Sequence, residues 1–326
     1  MTSIPVHAVR RPEPWLVARW IGVALTVALL AALVLWPGQA LHVLWDVAIP
    51  ILPATFLINP LIWRNVCPLG TLNRIAGSRI GRRTLAVPDA RLAWIVGIIL
   101  LAVLVPARRF IFNDNGPILA ATIVAVALLA VGLGFVYKQH AGFCNALCPV
   151  LPVEKLYGQL PLIQIGNARC TSCGVCTPSG CIELARDKTV AQTLGPTRRE
   201  QAWLRSSFGI FAASFPGFIA GYLTSVDGPL SAALGVYAHV GLYAVISYAV
   251  VATIVWAYKL RAEVALPLLA ATAIGVYYWL GAPALAEANG LAQGVVYIRA
   301  AAVVLIGVWL WRARGRLVLN HRRAAV

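Results

Sequence analysis

The sequence predicts an all-α polytopic membrane protein of about eight transmembrane helices, interrupted once by a long polar segment. Three observations carry this. Of 326 residues, 60% are hydrophobic and 12% charged, and the mean hydropathy is +0.80. Several apolar runs exceed the roughly 18–20 residues that cross a bilayer as a helix. Those runs lack the alternation of apolar and polar residues that the strands of a membrane barrel need.

Spans are expected near 15–36, 41–63, 92–107, 117–137, 207–225, 233–258, 264–282 and 292–311. The first follows Arg10 and Arg11, is longer than the apolar core of a signal peptide, and reads as a retained helix. The second is interrupted by Pro50, Pro53 and Pro60. A proline inside a helix frees a carbonyl, which a membrane tolerates only where protein or a cavity covers it. The spans divide the chain into a four-helix half (1–137, with loop 64–91), a polar segment (138–206) and a second four-helix half with a basic tail (207–326).

The formal net charge is +16. In a soluble protein this would point to nucleic acid. In a membrane protein Lys and Arg gather in cytoplasmic loops, so lipid is the expected partner and nucleic acid is not. Loop 64–91 carries Arg64, Arg74, Arg79, Arg82, Arg83 and Arg91, the turn after span six carries Lys259 and Arg261, and the tail carries Arg312, Arg314, Arg316, Arg322 and Arg323. The opposite loops carry Asp227 and Glu287, while Arg108 and Arg109 run against the pattern. The majority places both termini and all seven cysteines at the cytoplasmic side. That compartment is reducing, so these thiols read as metal ligands rather than disulfides.

Cys170, Cys173 and Cys176 stand three apart, and Cys181 follows after four residues. Three thiolates at this spacing take three corners of an iron–sulfur cube from one turn, and Gly174 lets the backbone approach inorganic sulfide. Zinc sites more often separate their cysteines into two knuckles. Cys181 is followed by Ile182 where bacterial ferredoxins have proline, after a gap one residue longer than theirs. A second motif, Cys144-x3-Cys148-Pro149, ends the fourth span, and on a helix its two cysteines share one face. Trp63-x3-Cys67-Pro68 ends the second span in the same way, with Trp63 in the place of the first cysteine. The first four spans thus read as a duplicated hairpin.

Two 4Fe–4S clusters held only by cysteine need eight thiolates, and the chain has seven. In one partition Cys170, Cys173 and Cys176 join Cys148 or Cys67. Cys144, Cys181 and the other Cys-Pro thiol then hold a 3Fe–4S cluster, or a cube with a fourth ligand of another kind. In the other partition Cys67, Cys144, Cys148 and Cys181 complete a cube, and the Cys170–Cys176 cluster stays open.

Paired Cys-Pro loops between membrane helices, followed by a ferredoxin motif, resemble the NapH/NosR-type membrane polyferredoxins over residues 41–185. CcoG-like proteins share part of the pattern. The resemblance implies a small cytoplasmic ferredoxin-like iron–sulfur loop in a multi-pass protein of the bacterial inner membrane. It implies electrons taken from the quinol pool and passed through one or two clusters to a protein redox partner or a larger membrane complex. A quinol-oxidising component, a CcoG-like assembly or sensing protein, and a structural electron-transfer subunit of a larger membrane complex are the readings it leaves.

The remaining polar residues carry less. His140, four before Cys144, is a candidate ligand or proton carrier; a solvated interfacial histidine is the simpler reading. Asp46 is a candidate proton carrier for quinol oxidation, and a structural Asp46–Arg299 ion pair is the competing expectation. His42 and His239 lie in the outer parts of their spans and are candidate quinone or, less readily, b-type haem contacts. Satisfied interfacial histidines would look the same.

Overall fold

The computed structural model describes residues 13–84, 87–138, 141–163, 194, 201–291 and 293–324. Among them every regular element is helical, and the one β-bridge joins Arg83 to Tyr137. Eight helices are long and apolar enough to cross a membrane: Trp15–Leu35, Pro37–Ile58, Leu92–Phe112, Gly116–Val136, Ser207–Thr224, Leu230–Tyr258, Ala262–Ala288 and Gly294–Arg314. Each matches an expected span, and the chain is a multi-pass membrane protein. Exposed Leu25, Leu128, Val245 and Val304 face outward from the bundle, where lipid rather than water covers them.

Consecutive spans alternate in direction. One end of the bundle therefore gathers the segments around residues 59–84, 141–163 and 201–206 and the turn at 259–261. The described cysteines all lie at this end. The other end gathers residues 36, 113–115, 225–229 and 289–291. Spans five and seven lie innermost, with Ala212, Ala213, Ala270, Ala273 and Ile274 fully buried. The small side chains among these, the four alanines, let helix axes approach closely, as membrane bundles require. Span five also carries a row of rings: Phe208 to Phe211 at 6.4 Å, Phe211 to Phe215 at 4.8 Å and Phe215 to Phe218 at 6.0 Å between centroids.

The second span departs from expectation. It runs from Pro37 to Ile58, with a π-helical turn over Val43–Ala48, and breaks at Asn59 instead of continuing to residue 63. Asn59 is extended (φ −167°, ψ 116°) and fully buried. Its Oδ1 accepts the Leu61 N–H at 2.8 Å, which caps a new short helix, Pro60–Val66. Its Nδ2 donates to the Ile163 carbonyl at 2.8 Å. The Leu57 and Ile58 carbonyls, orphaned by the break, accept the N–H groups of Leu162 (2.8 Å) and Ile163 (3.0 Å).

Loop 64–91 also differs from expectation, because much of it is the helix Pro68–Arg79. Asn73, buried completely, donates from Nδ2 to the Ala130 carbonyl of span four at 2.7 Å. Gly134 makes room for the same helix: a Cβ there would stand 2.6 Å from the Asn73 carbonyl oxygen and 2.7 Å from the Ala76 Cβ. Within residues 138–206, the described part forms the π-turn Phe143–Leu147, the helix Leu151–Tyr157 and the 3-10 turn Gln201–Arg205.

At the end away from the cysteines, Arg108 and Arg109 are accounted for. The third span extends to Phe112 rather than 107, and both arginines sit in its π-helical last turn. Arg109 pairs with Asp227 at 2.8 Å, and its guanidinium lies 4.7 Å from the Tyr222 ring centre. Arg108 donates to Asn113 and Tyr222, stacks on Trp45 and approaches Asp46 at 3.7 Å. The expected Asp46–Arg299 pair does not form. Asp46 is taken by His42 (3.1 Å) and Arg108, while Arg299 donates twice to the Trp279 carbonyl and stacks on the Trp279 ring. Stacking and a bifurcated carbonyl contact give that guanidinium local partners without reaching another span.

Two substitutions test this construction. Asn59→Leu leaves the Leu61 N–H and the Ile163 carbonyl without their side-chain partner, at about 1–3 kcal/mol for each buried orphan. The chain should unfold at clearly lower temperature in detergent. Gly134→Ala should cost about 1–3 kcal/mol through overpacking. Gly132→Ala meets nothing within 4 Å and serves as the matched control, with an unchanged or raised midpoint.

Candidate metal centre

Two Cys-Pro turns face each other at the cysteine end. Cys67 caps the helix Pro68–Arg79 with φ −60° and ψ 119°. Cys148 ends the π-turn Phe143–Leu147 with φ −58° and ψ 123°, and the helix Leu151–Tyr157 follows. The two backbones are the same to within a few degrees. Proline after each cysteine fixes the next φ for a helix start and removes an N–H that would have no partner there. The backbone N–H groups of Gly70 and Leu69 favour the charged form of the Cys67 sulfur, and those of Val150 and Leu151 favour that of Cys148. These are equivalent donors, two and three residues past the cysteine.

Cys144 joins them from the π-turn. Its Sγ lies 3.7 Å from Asn73 Oδ1, and a Cβ on Gly70 would stand 3.7 Å from both that sulfur and the Cys67 Cβ. The expected α-helical register of Cys144 and Cys148 is replaced by a wider one, with the Cys148 N–H bonded to the Phe143 carbonyl at 2.9 Å. Gly97 of span three rests on this turn, where a Cβ would meet the Leu147 and Cys148 carbonyl oxygens at 3.1 and 3.3 Å.

Beneath the turns lies a buried charged network. Arg64 Nε donates to Glu154 at 2.6 Å, with side chains 9% and 5% exposed, and Arg64 Nη1 donates to Asn145 Oδ1 at 3.0 Å. Arg64 and Asn145 are equivalent positions of the two turns. Equivalent residues touch in this way where a two-fold axis relates two copies. Asn145, itself buried, keeps its Nδ2 without a hydrogen-bond partner among the described residues.

The three thiols keep some surface, yet burial governs their chemistry. It pushes the Cys67 thiol up to about 11 and the Cys148 thiol up to about 12. The Cys144 thiol is raised well above its ordinary range by burial and then by its two cysteine neighbours. The backbone donors to Cys67 and Cys148 and the Arg64 charge pull in the other direction. Ionising all three needs a cation among them, and a soft metal supplies one.

The chemistry of the donors suits a thiophilic centre: three neighbouring thiols, backbone N–H groups that favour the charged form of two of them, and one orphaned buried amide. Among the described residues, no three of His, Cys, Asp and Glu already converge on one point in metal-binding geometry. Cys170, Cys173, Cys176, Cys181 and His140 lie outside the described residues. Asp46, His42 and His239 are not brought to the thiols. Asp46 and His42 pair with each other at the opposite end, and His239 contacts Thr224 Oγ1 at 3.0 Å and stacks on Tyr243 at 4.7 Å. Arg64, Asn73, Asn145 and Glu154 are the residues that sequence reasoning passed over. The repeat was their signal, because the offset of 81 that maps Cys67 onto Cys148 also maps Arg64 onto Asn145 and Asn73 onto Glu154. Compared with known proteins, the chain matches no protein-family model, no curated protein and no solved structure.

The raised thiols predict slow alkylation of metal-free protein. A pKa near 11 in place of 9.0 leaves Cys67 with about a hundredth of the ordinary thiolate at pH 8. Its iodoacetamide rate should be about a hundredfold below that of an unfolded peptide thiol and should climb through pH 11. A midpoint at 9 or below would show that the site does not hold its thiols neutral.

Proposed function

We propose that this is a membrane iron–sulfur protein that takes electrons from quinol and passes them to a redox partner. The observation that carries this is the matched pair of Cys-Pro turns, with the same cysteine dihedrals and with Cys144 as a neighbour of both thiols. N–H donors to a ligating sulfur favour its charged form and raise the potential of the centre it holds.

The described ends of the cysteine-rich segment support the same reading. Leu162 and Ile163 are pinned to the end of the second span beside Asn59. Cys170 follows seven residues later, within about 24 Å of extended chain. Leu194 is buried in the main core, and Trp203 Nε1 donates to the Leu260 carbonyl at 3.3 Å. Both ends of the segment thus start from the cysteine end of the bundle, within reach of Cys67 and Cys148. Bound there, a cluster supplies one-electron exchange. Cys67, Cys144 and Cys148, neighbours at this end, with Cys181 are the proposed first set, and Cys170, Cys173 and Cys176 the proposed second.

A donor has a place to dock. A groove of about 400 Å³ opens sideways between spans three and five, lined by Ile98, Ile99, Phe211, Ser214, Phe215 and Phe218. Almost wholly apolar, it suits an isoprenoid chain. Its span-three wall includes Ile98, next in sequence to Gly97, whose Cβ position lies 3.3 Å from the Cys148 carbonyl oxygen. Arginines crowd the loops at the cysteine end, which supports a cytoplasmic position for it in a bacterial inner membrane.

The test is iron and acid-labile sulfide per chain after anaerobic purification, with EPR through a reductive titration. Equal iron and sulfide are expected, about four per cluster, with loss of signal in Cys67→Ser or Cys148→Ser. Absence of both elements refutes the reading. For the donor, Ser214→Trp should slow cluster reduction by a quinol while leaving reduction by dithionite unchanged. Equal quinol rates would remove the groove from the proposal.

A further inference from the structure

The Arg64–Glu154 pair does not belong to the architecture of a Cys-Pro turn. The repeat builds the same turn twice, with the same cysteine dihedrals and the same N–H donors. Where one copy has Arg64 the other has the neutral Asn145, and where one has Glu154 the other has the neutral Asn73. Two amides therefore suffice at these positions. Burying an ion pair in their place adds a desolvation cost that the attraction seldom exceeds. The charges need another reason.

Their position supplies one. Arg64 lies three residues before Cys67 and is fixed by Glu154 at 2.6 Å and Asn145 at 3.0 Å. Its field favours negative charge on Cys67 and Cys144, while that of Glu154 disfavours it on Cys67, Cys144 and Cys148. Both side chains are more than nine-tenths buried, so salt screens little of either field. Lys155 is turned away, 4.7 Å over the Trp94 ring.

We infer that Arg64 and Glu154 are a pair of opposed fixed charges that set the redox potential of the centre held by Cys67, Cys144 and Cys148. This rests on the iron–sulfur reading. Arg64 stabilises the reduced, more negative form of the centre and Glu154 the oxidised form. The hydrogen bond between them holds the balance constant. They are positioning residues and ligate nothing themselves.

Potentiometric titration of the whole purified protein, followed by EPR with iron counted in each sample, tests this. At a fixed ambient potential, Arg64→Gln should lower the reduced-to-oxidised ratio of the centre by about tenfold, the order expected for loss of one nearby, weakly screened charge. Glu154→Gln should raise it by a similar factor, and the double variant should return towards the parent. Arg64→Lys, which keeps the charge, should stay within about twofold of the parent. A purely structural pair would not move the potential in opposite directions. If the parent holds iron and both single variants titrate alike or leave the potential unmoved, the inference fails and the iron–sulfur reading stands. Should Arg64→Gln lose its iron, Glu154→Gln and Arg64→Lys still decide. A parent without iron overturns both.

Discussion

In a bilayer a backbone group without a partner costs several kcal/mol, so a spanning helix can stop inside the protein only if its last carbonyls are met. Asn59 is where this chain meets that condition. Its amide caps the following helix with one atom and holds Ile163 with another, while Leu162 and Ile163 take up the freed carbonyls. The short helix that Asn59 starts brings Arg64 under the turn and delivers Cys67 to its cap. The strand-like pairing it anchors fixes the point from which the cysteine-rich segment departs. Both the break and the site therefore depend on one buried side chain.

The two ends of the bundle use charge differently. Away from the cysteines, Arg108 and Arg109 are partly exposed, stack on rings and share carboxylates, amides and carbonyls with spans two and five and the turn after span five. That clamp ties the first four spans to the last four with several modest contacts. At the cysteine end a short contact between two buried charges lies beside three thiols. A distributed network tolerates the loss of a member, whereas a single buried pair leaves a bare charge when broken. Such a pair has electrostatic influence because the medium around it is poor in water.

Hydropathy made the eight spans legible, since length and apolar content settle a membrane helix with little help from tertiary structure. Their ends were less so. Asn59-Pro60 is a helix cap followed by a proline suited to the first turn, a readable start signal inside what hydropathy treats as one run. The helix Pro68–Arg79 was hidden for a different reason. It is polar enough to resemble a loop, and only its tertiary partners, Ala130 and Gly134, give its buried face meaning. The Cys-Pro turns were legible as motifs, and their duplication was too. The pairing of Arg64 with Glu154 was not, because it crosses ninety residues of sequence.

The odd number of cysteines follows from packing. Trp63 occupies the position equivalent to Cys144, yet it does not simply fill a vacant ligand site. It packs against the main core together with Cys148, with its ring 6.5 Å from Phe56 in an edge-on arrangement. Phe56 is buried in the last turns of the second span, just before the break at Asn59. Removing so large a side chain from such a contact costs about 3–5 kcal/mol. A cysteine at 63 would therefore weaken the wall that positions the second span in order to add a thiol. The copy that lacks the first cysteine also carries the buried arginine next to that position. One turn contributes two thiols and a neutral amide, the other contributes one thiol, a fixed charge and a structural ring. If the proposed centre forms, those departures from the repeat divide ligation, tuning and packing between two turns of the same backbone.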